Sequence, residues 1–201
     1  MCSSYANRIA SEGYRTTFGV DLPLDFQHPA IIKPTDSAPI IVTVQGNRWL
    51  TVARWGFVPS YAKSLAAIKH LSLFNARDDA LTQSGIWREA IGCQRCVIPL
   101  SHYFEGAKSR GTKASVRLAD DQPLAVAGLW NRWRFEDGQQ GMSCTMVTTE
   151  PSEDVKALHH RMPAMLELSE IERWLNPATP LADALACVRP FRAGRLAVSP
   201  V

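Results

Sequence analysis

The sequence predicts an α+β fold: a single domain over residues 1–201, built on a mainly antiparallel, barrel-like β-sheet core with peripheral helices. Three observations predict it. Short apolar or alternating runs dominate the first two thirds of the chain. Helical patterning is confined to a few segments among and after these runs. The 13 prolines and 12 glycines are spread out, and no Ser-, Gly- or Pro-rich linker divides the 201 residues, which favours one domain.

The strands are predicted from these runs. Ile40–Val44 and Arg48–Arg54 flank Gln45-Gly46-Asn47, a short loop that is typical of a β-hairpin. The remaining predicted strands are Cys96–Leu100, Ser115–Leu118, Leu124–Leu129 and Met142–Thr148.

Three segments carry helical signals. The first is Asp79–Ala90, and the second begins at Pro151, a residue suited to a first helical turn, and runs to about Leu158. The third opens with Ser169-Glu170-Ile171-Glu172, which has the pattern of a capping box. We expect these helices to lie at the periphery of the sheet.

The composition excludes several classes of protein. Hydrophobic residues make up 46% and charged residues 20%, the balance of a packed domain rather than a disordered chain. No apolar run approaches the ~20 residues that cross a bilayer. The segment Met1–Arg8 lacks the pattern of a signal peptide, so we expect a cytoplasmic protein without a membrane partner. The net charge of +3 permits a nucleic-acid partner without requiring one.

The five cysteines do not predict a disulfide framework, because the count is odd and no signal peptide precedes them. Cys93-Gln94-Arg95-Cys96 is a lone CxxC pair. A structural zinc needs four ligands, and no second pair completes the set. We therefore expect buried thiols at this pair, with neither a metal nor another cofactor.

Cys2 is the most informative position, since only the initiator methionine precedes it. Removal of Met1 gives Cys2 a free α-amine beside its thiol. Such a 1,2-aminothiol condenses with an aldehyde to an imine, and the thiol then closes a thiazolidine ring. An α-amine titrates at ~7.7–8.0 and a lysine at ~10.4, so the α-amine is the better nucleophile at neutral pH. The alternative is that Cys2 has no function.

Four cations lie close together in the sequence: Lys108, Arg110, Lys113 and Arg117. With Gly111 among them they are typical of an exposed basic loop. Such a loop is either merely solvated or in contact with phosphate, and the sequence leaves both interpretations open.

Further motifs follow Cys2 in a fixed order. They are Trp55-Gly56-Phe57-Val58-Pro59, Phe74-Asn75-Ala76-Arg77, Arg95–Leu100 with Tyr103-Phe104-Glu105, and His159-His160-Arg161-Met162-Pro163 with Trp174. Each motif alone is weak, but their order and spacing together are specific. From Cys2 to beyond Trp174 the chain resembles the SRAP family of SOS response-associated peptidase domain proteins.

The resemblance implies a DNA-damage protein that senses abasic sites in single-stranded DNA. Its N-terminal cysteine attacks the aldehyde of the ring-opened sugar and forms a thiazolidine DNA–protein crosslink. The peptidase name reflects removal of the residues ahead of that cysteine, so autoprocessing and a lyase-like activity are implied, and a general protease is not. We further expect a monomer that associates with the nucleoid when bound to DNA.

The resemblance also implies roles for individual residues. Cys2 is the nucleophile, and Asn75 orients its amine or the opened sugar. Arg77 holds a phosphate beside the lesion. Glu105 is a general acid/base, and His159 is the active histidine.

Lys108, Arg110 and Arg161 are predicted as further DNA contacts. Simpler interpretations exist beside these roles. Asn75 could cap a helix, His159 could interact with a helix dipole as a cation, and Arg161 could pair with a carboxylate.

The sequence departs from the family pattern at several positions. Ser3 and Ser4 replace the usual Gly-Arg after the cysteine, and Gly106 replaces a tryptophan. Asp79 stands in place of Glu, and His160 in place of Asp. These changes indicate a divergent member of the family.

Two alternative functions remain open. One is a thiol-dependent peptidase acting on itself or on other chains, with Cys2 as nucleophile and His159 as base. The other is a non-catalytic module that has lost the chemistry and only binds single-stranded DNA.

Overall fold

Strands dominate the part of the chain that the computed structural model describes, residues 2–106 and 113–201. In chain order they are β1 (Tyr5–Ala6), β2 (Ile31–Ile32), β3 (Ser37–Val44), β4 (Asn47–Trp55), β5 (Asn75–Arg77), β6 (Arg95–Leu100), β7 (His102–Gly106), β8 (Lys113–Leu118), β9 (Leu124–Arg134), β10 (Gln140–Thr149), β11 (Met162–Pro163) and β12 (Leu196–Pro200). The α-helices are α1 (Ser11–Gly13), α2 (Leu65–Ile68), α3 (Arg88–Cys93), α4 (Ile171–Leu175) and α5 (Leu181–Leu185). A π-helical segment, Tyr14–Phe18, and two 3₁₀ turns, Asp78–Ala80 and Leu168–Glu170, accompany them.

Five of these strands close into a barrel. Around the ring the order is β3, β6, β9, β10 and β4, and β4 pairs back with β3. All neighbours are antiparallel except β4 and β10, which run parallel. The predicted α+β class with a mainly antiparallel, barrel-like core is therefore confirmed. Within residues 2–106 and 113–201 no helix is long and apolar enough to span a membrane.

The second sheet has the strand order β12, β8, β7, β1, β2 and is antiparallel throughout. Its strand β1 lies between β7 and β2. Tyr5 is opposite Tyr103 on one side and Ile32 on the other. A chain terminus is normally mobile unless it is paired in this way. The sheet therefore fixes the residues that follow Cys2.

The predicted hairpin between β3 and β4 is confirmed. Val44 is opposite Asn47, so the loop consists of Gln45 and Gly46 alone. Both have positive φ values, 51° and 79°, as a type I′ turn requires.

The helix predictions need correction. Asp79–Ala90 is not one helix, because the Ser84 hydroxyl accepts a hydrogen bond from the backbone N–H of Ile86 at 3.2 Å, and α3 begins only at Arg88. Such local side-chain bonds compete with helix formation. The stretch from Pro151 to Leu158 forms successive turns rather than a helix.

The capping box lies two residues earlier than predicted. Glu167, not Ser169, is the capping residue, and the backbone N–H of Glu167 donates to the Glu170 carboxylate at 3.0 Å. The helix α4 that follows buries Ile171 and Trp174.

Both faces of the barrel wall are covered. Inside, Ile40, Trp55 and Ile98 belong to a core cluster that also includes Cys2. Outside, Ile91 and Trp174 belong to a second cluster that packs the helices against the wall. Every residue of β6 is buried as a result, which explains why Cys96–Leu100 is a continuous apolar run in the sequence.

Barrel closure depends on the absence of a side chain at Gly128, where a Cβ atom would lie 2.9 Å from the Cys96 Sγ and 2.9 Å from the Thr145 carbonyl oxygen. We expect Gly128→Ala to lower the free energy of unfolding by about 1–3 kcal/mol, because the packed wall must move. Urea denaturation measures the change. Gly92→Ala is the matched control, since no atom beyond its chain neighbours and its own helix backbone lies within 4 Å of the position that its methyl group would take. Equal stabilities of the two variants would contradict this account of closure.

Candidate active site

Cys2 lies inside the protein rather than at its surface. Its exposed fraction is 1%, and it packs in the cluster that fills the barrel. The Cys2 Sγ donates to the Ser4 carbonyl oxygen at 3.4 Å, and that oxygen also accepts from the Phe104 N–H at 3.0 Å. The terminus is thereby folded against β7 before β1 begins.

Asn75 lies beside Cys2. It begins β5, which pairs in parallel with β10 and places Asn75 opposite Met146. The Asn75 Nδ2 donates to the Cys2 carbonyl oxygen at 2.9 Å, across 73 positions of sequence. Its buried Oδ1 has no hydrogen-bond partner in the described structure. Asn75 is therefore a strand residue, not a helix cap, and its side chain holds Cys2 in place.

Trp55 contacts both the segment that precedes Asn75 and the strand that follows Cys2. Its indole Nε1 donates to the Phe74 carbonyl oxygen at 2.8 Å, directly before Asn75. Its ring also contacts Tyr5 edge-on, with centroids 5.0 Å apart. Since its side chain is fully buried, Trp55 is a core residue that joins the strand of Asn75 to the strand after Cys2.

Glu105 is buried on the inner face of β7, with an exposed fraction of 8%. Its Oε1 accepts from the Gly106 N–H at 3.2 Å. The negative charge of Glu105 acts on two neighbours: it adds to the raising of the Cys2 pKa by burial, and it opposes the lowering of the His159 pKa by burial. The carboxylate is therefore electrostatically coupled to the thiol and to the imidazole.

His159 follows the turns after Pro151. The backbone N–H of Arg161 donates to its Nδ1 at 3.0 Å, so in the neutral ring the proton is on Nε2. The His160 ring stacks on it at a centroid distance of 4.2 Å. Burial lowers the pKa of His159, and the charge of Glu105 opposes that shift. The ring is therefore neutral at pH 7.

Burial raises the pKa of Cys2 to about 12, and the nearby carboxylate of Glu105 adds to the effect. At neutral pH the sulfur is therefore a protonated thiol. A buried thiol of this kind is a poor first nucleophile, because the thiolate is the reactive form.

Arg77 and Arg161, both predicted as DNA contacts, line one open cleft together with Arg189. Arg77 is exposed, and its Nε and Nη2 bind the Asp79 carboxylate at 3.0 and 2.6 Å. Arg161 is buried, with an exposed fraction of 6%. Its Nη2 donates to Asp78 at 2.7 Å and to the Thr148 carbonyl oxygen.

Asp78 is a site residue that the sequence reasoning missed. Its carboxylate accepts from the Arg161 guanidinium, and it also accepts from the Thr149 hydroxyl at 2.7 Å. Asp78 thereby ties the strand of Asn75 to the loop of His159. Its position directly after Phe74-Asn75-Ala76-Arg77 could have indicated a role in the site. That motif does not reveal the partner, Arg161, which lies 83 residues away in the sequence.

The predicted DNA contacts Lys108 and Arg110 lie outside the described residues. Of the same group of cations, Lys113 lies in β8 with its Nζ 4.9 Å from the centre of the Phe104 ring. Arg117 pairs with Asp121 at 2.5 Å.

All five cysteines are free. Cys96 is buried, as predicted, but Cys93 is exposed because it lies at the end of the surface helix α3. Across residues 2–106 and 113–201 no group of three or more His, Cys, Asp or Glu side chains is placed to hold a metal ion.

The thiols should differ in reactivity. At pH 7.5 we expect iodoacetamide to modify the exposed Cys93 well before Cys2, whose raised pKa and burial keep it protonated and enclosed. Peptide mapping by mass spectrometry over time measures both rates. Labelling in strong denaturant, where all thiols are accessible, is the control. Modification of Cys2 as fast as Cys93 in the folded protein would contradict the described burial.

Comparison with known proteins finds relatives that share most of this sequence's length. The abasic site processing protein YoqW of Bacillus subtilis is 30% identical over 200 residues, which cover 96% of this chain and 88% of that protein. The abasic site processing protein YoaM of Bacillus subtilis is 29% identical over 191 residues, covering 92% and 83%. The abasic site processing protein HMCES of Gallus gallus is 29% identical over 201 residues, covering 84% of this chain and 59% of its own.

Solved structures show the same fold. A crystal structure of a Bordetella bronchiseptica protein has a TM-score of 0.86 and 27% identity, covering 100% of this chain and 99% of that one. A Bacteroides thetaiotaomicron protein has a TM-score of 0.88 at 21% identity, covering 100% and 92%. A family model described as SOS response associated peptidase (SRAP) matches residues 1–201. The chain therefore belongs to the SOS response associated peptidase (SRAP) family.

Proposed function

We propose that this protein senses abasic sites in single-stranded DNA and becomes covalently attached to them through Cys2, after removal of Met1. One observation carries the proposal: the fold buries Cys2 in hydrogen-bond contact with Asn75 and within the field of Glu105, which also acts on His159. The relatives named as abasic site processing proteins support it. In this proposal the protein acts as a monomer, in the cytoplasm and at the nucleoid.

The chemistry balances without a cofactor. The Cys2 α-amine adds to the aldehyde carbon of the opened abasic sugar and gives a carbinolamine, which loses water to form an imine. The Cys2 thiol then adds across the C=N bond, its proton passes to the nitrogen, and a thiazolidine results. Since burial keeps the sulfur protonated, the amine attacks first and the thiol second.

The buried Glu105 and the half-buried His159 would move the protons. Opening the sugar transfers a proton between two oxygens, and imine formation needs an acid for the departing water. Glu105 supplies a carboxylate, and His159 supplies a neutral imidazole whose Nε2 carries the proton. The unpartnered Oδ1 of Asn75 is available to accept from the Cys2 amine or from a sugar hydroxyl.

Arg77 would bind a phosphate beside the lesion, in exchange for its surface pair with Asp79. The DNA contact assigned to Arg161 also stays a proposal. Its Nη2 is engaged by Asp78, and its buried Nε has no partner in the described structure. Lys108 and Arg110 remain proposed contacts outside the described residues.

Autoprocessing, in which water hydrolyses the Met1–Cys2 peptide bond and Met1 leaves, and a lyase-like reaction through the Cys2 imine are further parts of the proposal. A general thiol peptidase is disfavoured, because a thiol with its pKa raised to about 12 is not an activated nucleophile. The crosslinking experiment distinguishes the proposed function from that of a non-catalytic module that only binds single-stranded DNA.

The crosslink is the direct test. Incubation with a single-stranded oligonucleotide that contains an abasic site should give a slower band on a denaturing gel. Cys2→Ala should abolish the band, since it removes the ring-closing sulfur, and Cys93→Ser, the matched control, should retain it. No band from folded wild-type protein would falsify the proposal, and salt-sensitive binding without a preference for the lesion would instead support the binding module.

The pH dependence should report His159. As the pH falls, the α-amine, with an ordinary pKa of ~7.7–8.0, is protonated first, and the His159 ring, whose pKa burial lowers, is protonated at a lower pH. The logarithm of the single-turnover rate should therefore rise with a slope near one where only the amine titrates, and approach about two below the pKa of His159. His159→Gln should lower the rate and keep a slope near one throughout. A wild-type profile parallel to that of His159→Gln would exclude His159 as the base.

A further inference from the structure

His159, a proposed proton-transfer group, has a second imidazole stacked on it. The ring centroids of His159 and His160 lie 4.2 Å apart, and the two ring planes make an angle of 29°. The His159 side chain is half-buried, whereas His160 is exposed to solvent. An exposed ring that can itself take up a proton therefore covers one face of His159.

The stack adds to the contacts that orient the His159 ring. The backbone N–H of Arg161 donates to the His159 Nδ1 at 3.0 Å, which holds one edge of the ring. A hydrogen bond in the ring plane still permits the ring to tilt about the axis of that bond. The stacked His160 ring opposes the tilt, because contacts between aromatic rings have preferred geometries. The backbone and the neighbouring ring together fix where the His159 Nε2 points.

Charged groups from several parts of the chain act on the same ring. The Glu105 carboxylate on β7 favours a proton on His159, whereas the positive charges of the amino terminus and of His160 oppose it. The Arg161 guanidinium, two residues further along the loop, is directed to Asp78 instead. Since a histidine gains positive charge as the pH falls, His160 becomes a repelling neighbour in the acidic range in which His159 would be protonated.

We propose that His160 is a positioning residue for His159: its ring holds the plane of the His159 imidazole, and its positive charge in acid keeps that imidazole neutral. The proposal rests on the proposed function, which makes His159 a proton-transfer group. Two stacked rings that both carry a positive charge repel each other, so the pair accepts one proton more readily than two. His159 therefore stays neutral to a lower pH than a lone ring in the same place would.

An NMR titration tests the charge effect without any DNA. The Cε1–H shifts of the five histidines are recorded against pH, and the spectrum of His159→Gln identifies the His159 signal. His160→Gln is neutral at every pH. In this variant the pKa of His159 should rise by about 0.7, the effect of removing a unit charge ~4 Å away in a water-like medium. His160→Asp, whose charge has the opposite sign, should raise it about twice as far.

The matched control is Arg134→Glu, which changes the charge by as much as His160→Asp does in acid, at an exposed position. Arg134 is opposite Gln140 at the start of β10, whereas the strand after His159 pairs with Thr149 at its end. The two ends of β10 are roughly 30 Å apart. Arg134→Glu should therefore leave the pKa of His159 unchanged. Dispersed spectra show that each variant is folded.

The crosslinking rate tests the positioning. Above pH 8, where the amine and the His159 ring are both neutral, His160→Gln should lower the single-turnover rate roughly twofold to tenfold, the loss that corresponds to one aromatic contact. His160→Phe keeps a planar ring without a charge and should restore this rate. In both neutral variants the steep part of the pH profile should begin about 0.7 of a pH unit higher than in wild type.

Either part of the proposal can fail. A pKa of His159 that is the same in wild type, His160→Gln and His160→Asp would overturn the charge effect. A rate of His160→Gln equal to that of wild type above pH 8 would overturn the positioning.

Failure of this proposal is distinguishable from failure of the proposed function. If wild type crosslinks and neither the pKa nor the rate moves, only the role of His160 is wrong. If wild type does not crosslink but the pKa of His159 rises in both variants, His160 controls the protonation of His159 and the function proposed for Cys2 is wrong.

Discussion

The site depends on how the fold immobilises its own N-terminus. One hydrogen bond, from the Asn75 Nδ2 to the Cys2 carbonyl oxygen, joins the start of the chain to a strand 73 residues later. Pairing of β1 between β7 and β2 holds the residues that follow. An N-terminal amine is ordinarily on a mobile segment. Cys2 is instead fixed in a buried setting, so the proposed reaction of its amine with a sugar aldehyde, once Met1 is removed, would lose little further conformational entropy.

The barrel supplies the rigidity that this arrangement needs. Strand β10 connects several parts of the fold, since it pairs with four other strands: β4, β5, β9 and β11. It thereby holds the strand of Asn75 along one edge and the strand that follows His159 along the other, since Thr148 pairs with both. The Asp78–Arg161 ion pair and the Thr149 hydroxyl join the same two segments on their outer side. Of the two proposed proton-transfer groups, Glu105 is therefore positioned by a packed strand, and His159 by a loop that these hydrogen bonds hold in place.

The features that could be predicted from the sequence are those that local pattern determines. The β3–β4 hairpin follows from alternation and a Gln45-Gly46 turn, and the aminothiol chemistry of Cys2 follows from its position. Long-range pairing could not be predicted: Asn75 was open to interpretation as a helix cap because nothing near it in sequence reveals β10, and Asp78 acquires its role from a distant arginine. The helix over Asp79–Ala90 was overpredicted because the Ser84 hydroxyl captures a backbone N–H. Cys93 was expected to be buried, but α3 ends at the surface.

The central claim is that the amine and the sulfur of one residue both bond to the damaged sugar. Tandem mass spectrometry of the N-terminal peptide, released by protease and nuclease from the crosslinked product, tests it most directly. We predict a sugar remnant on Cys2, with one water lost and with a sulfur that iodoacetamide no longer alkylates in denaturant. A remnant on a lysine, or on a Cys2 whose thiol still alkylates, would contradict the account.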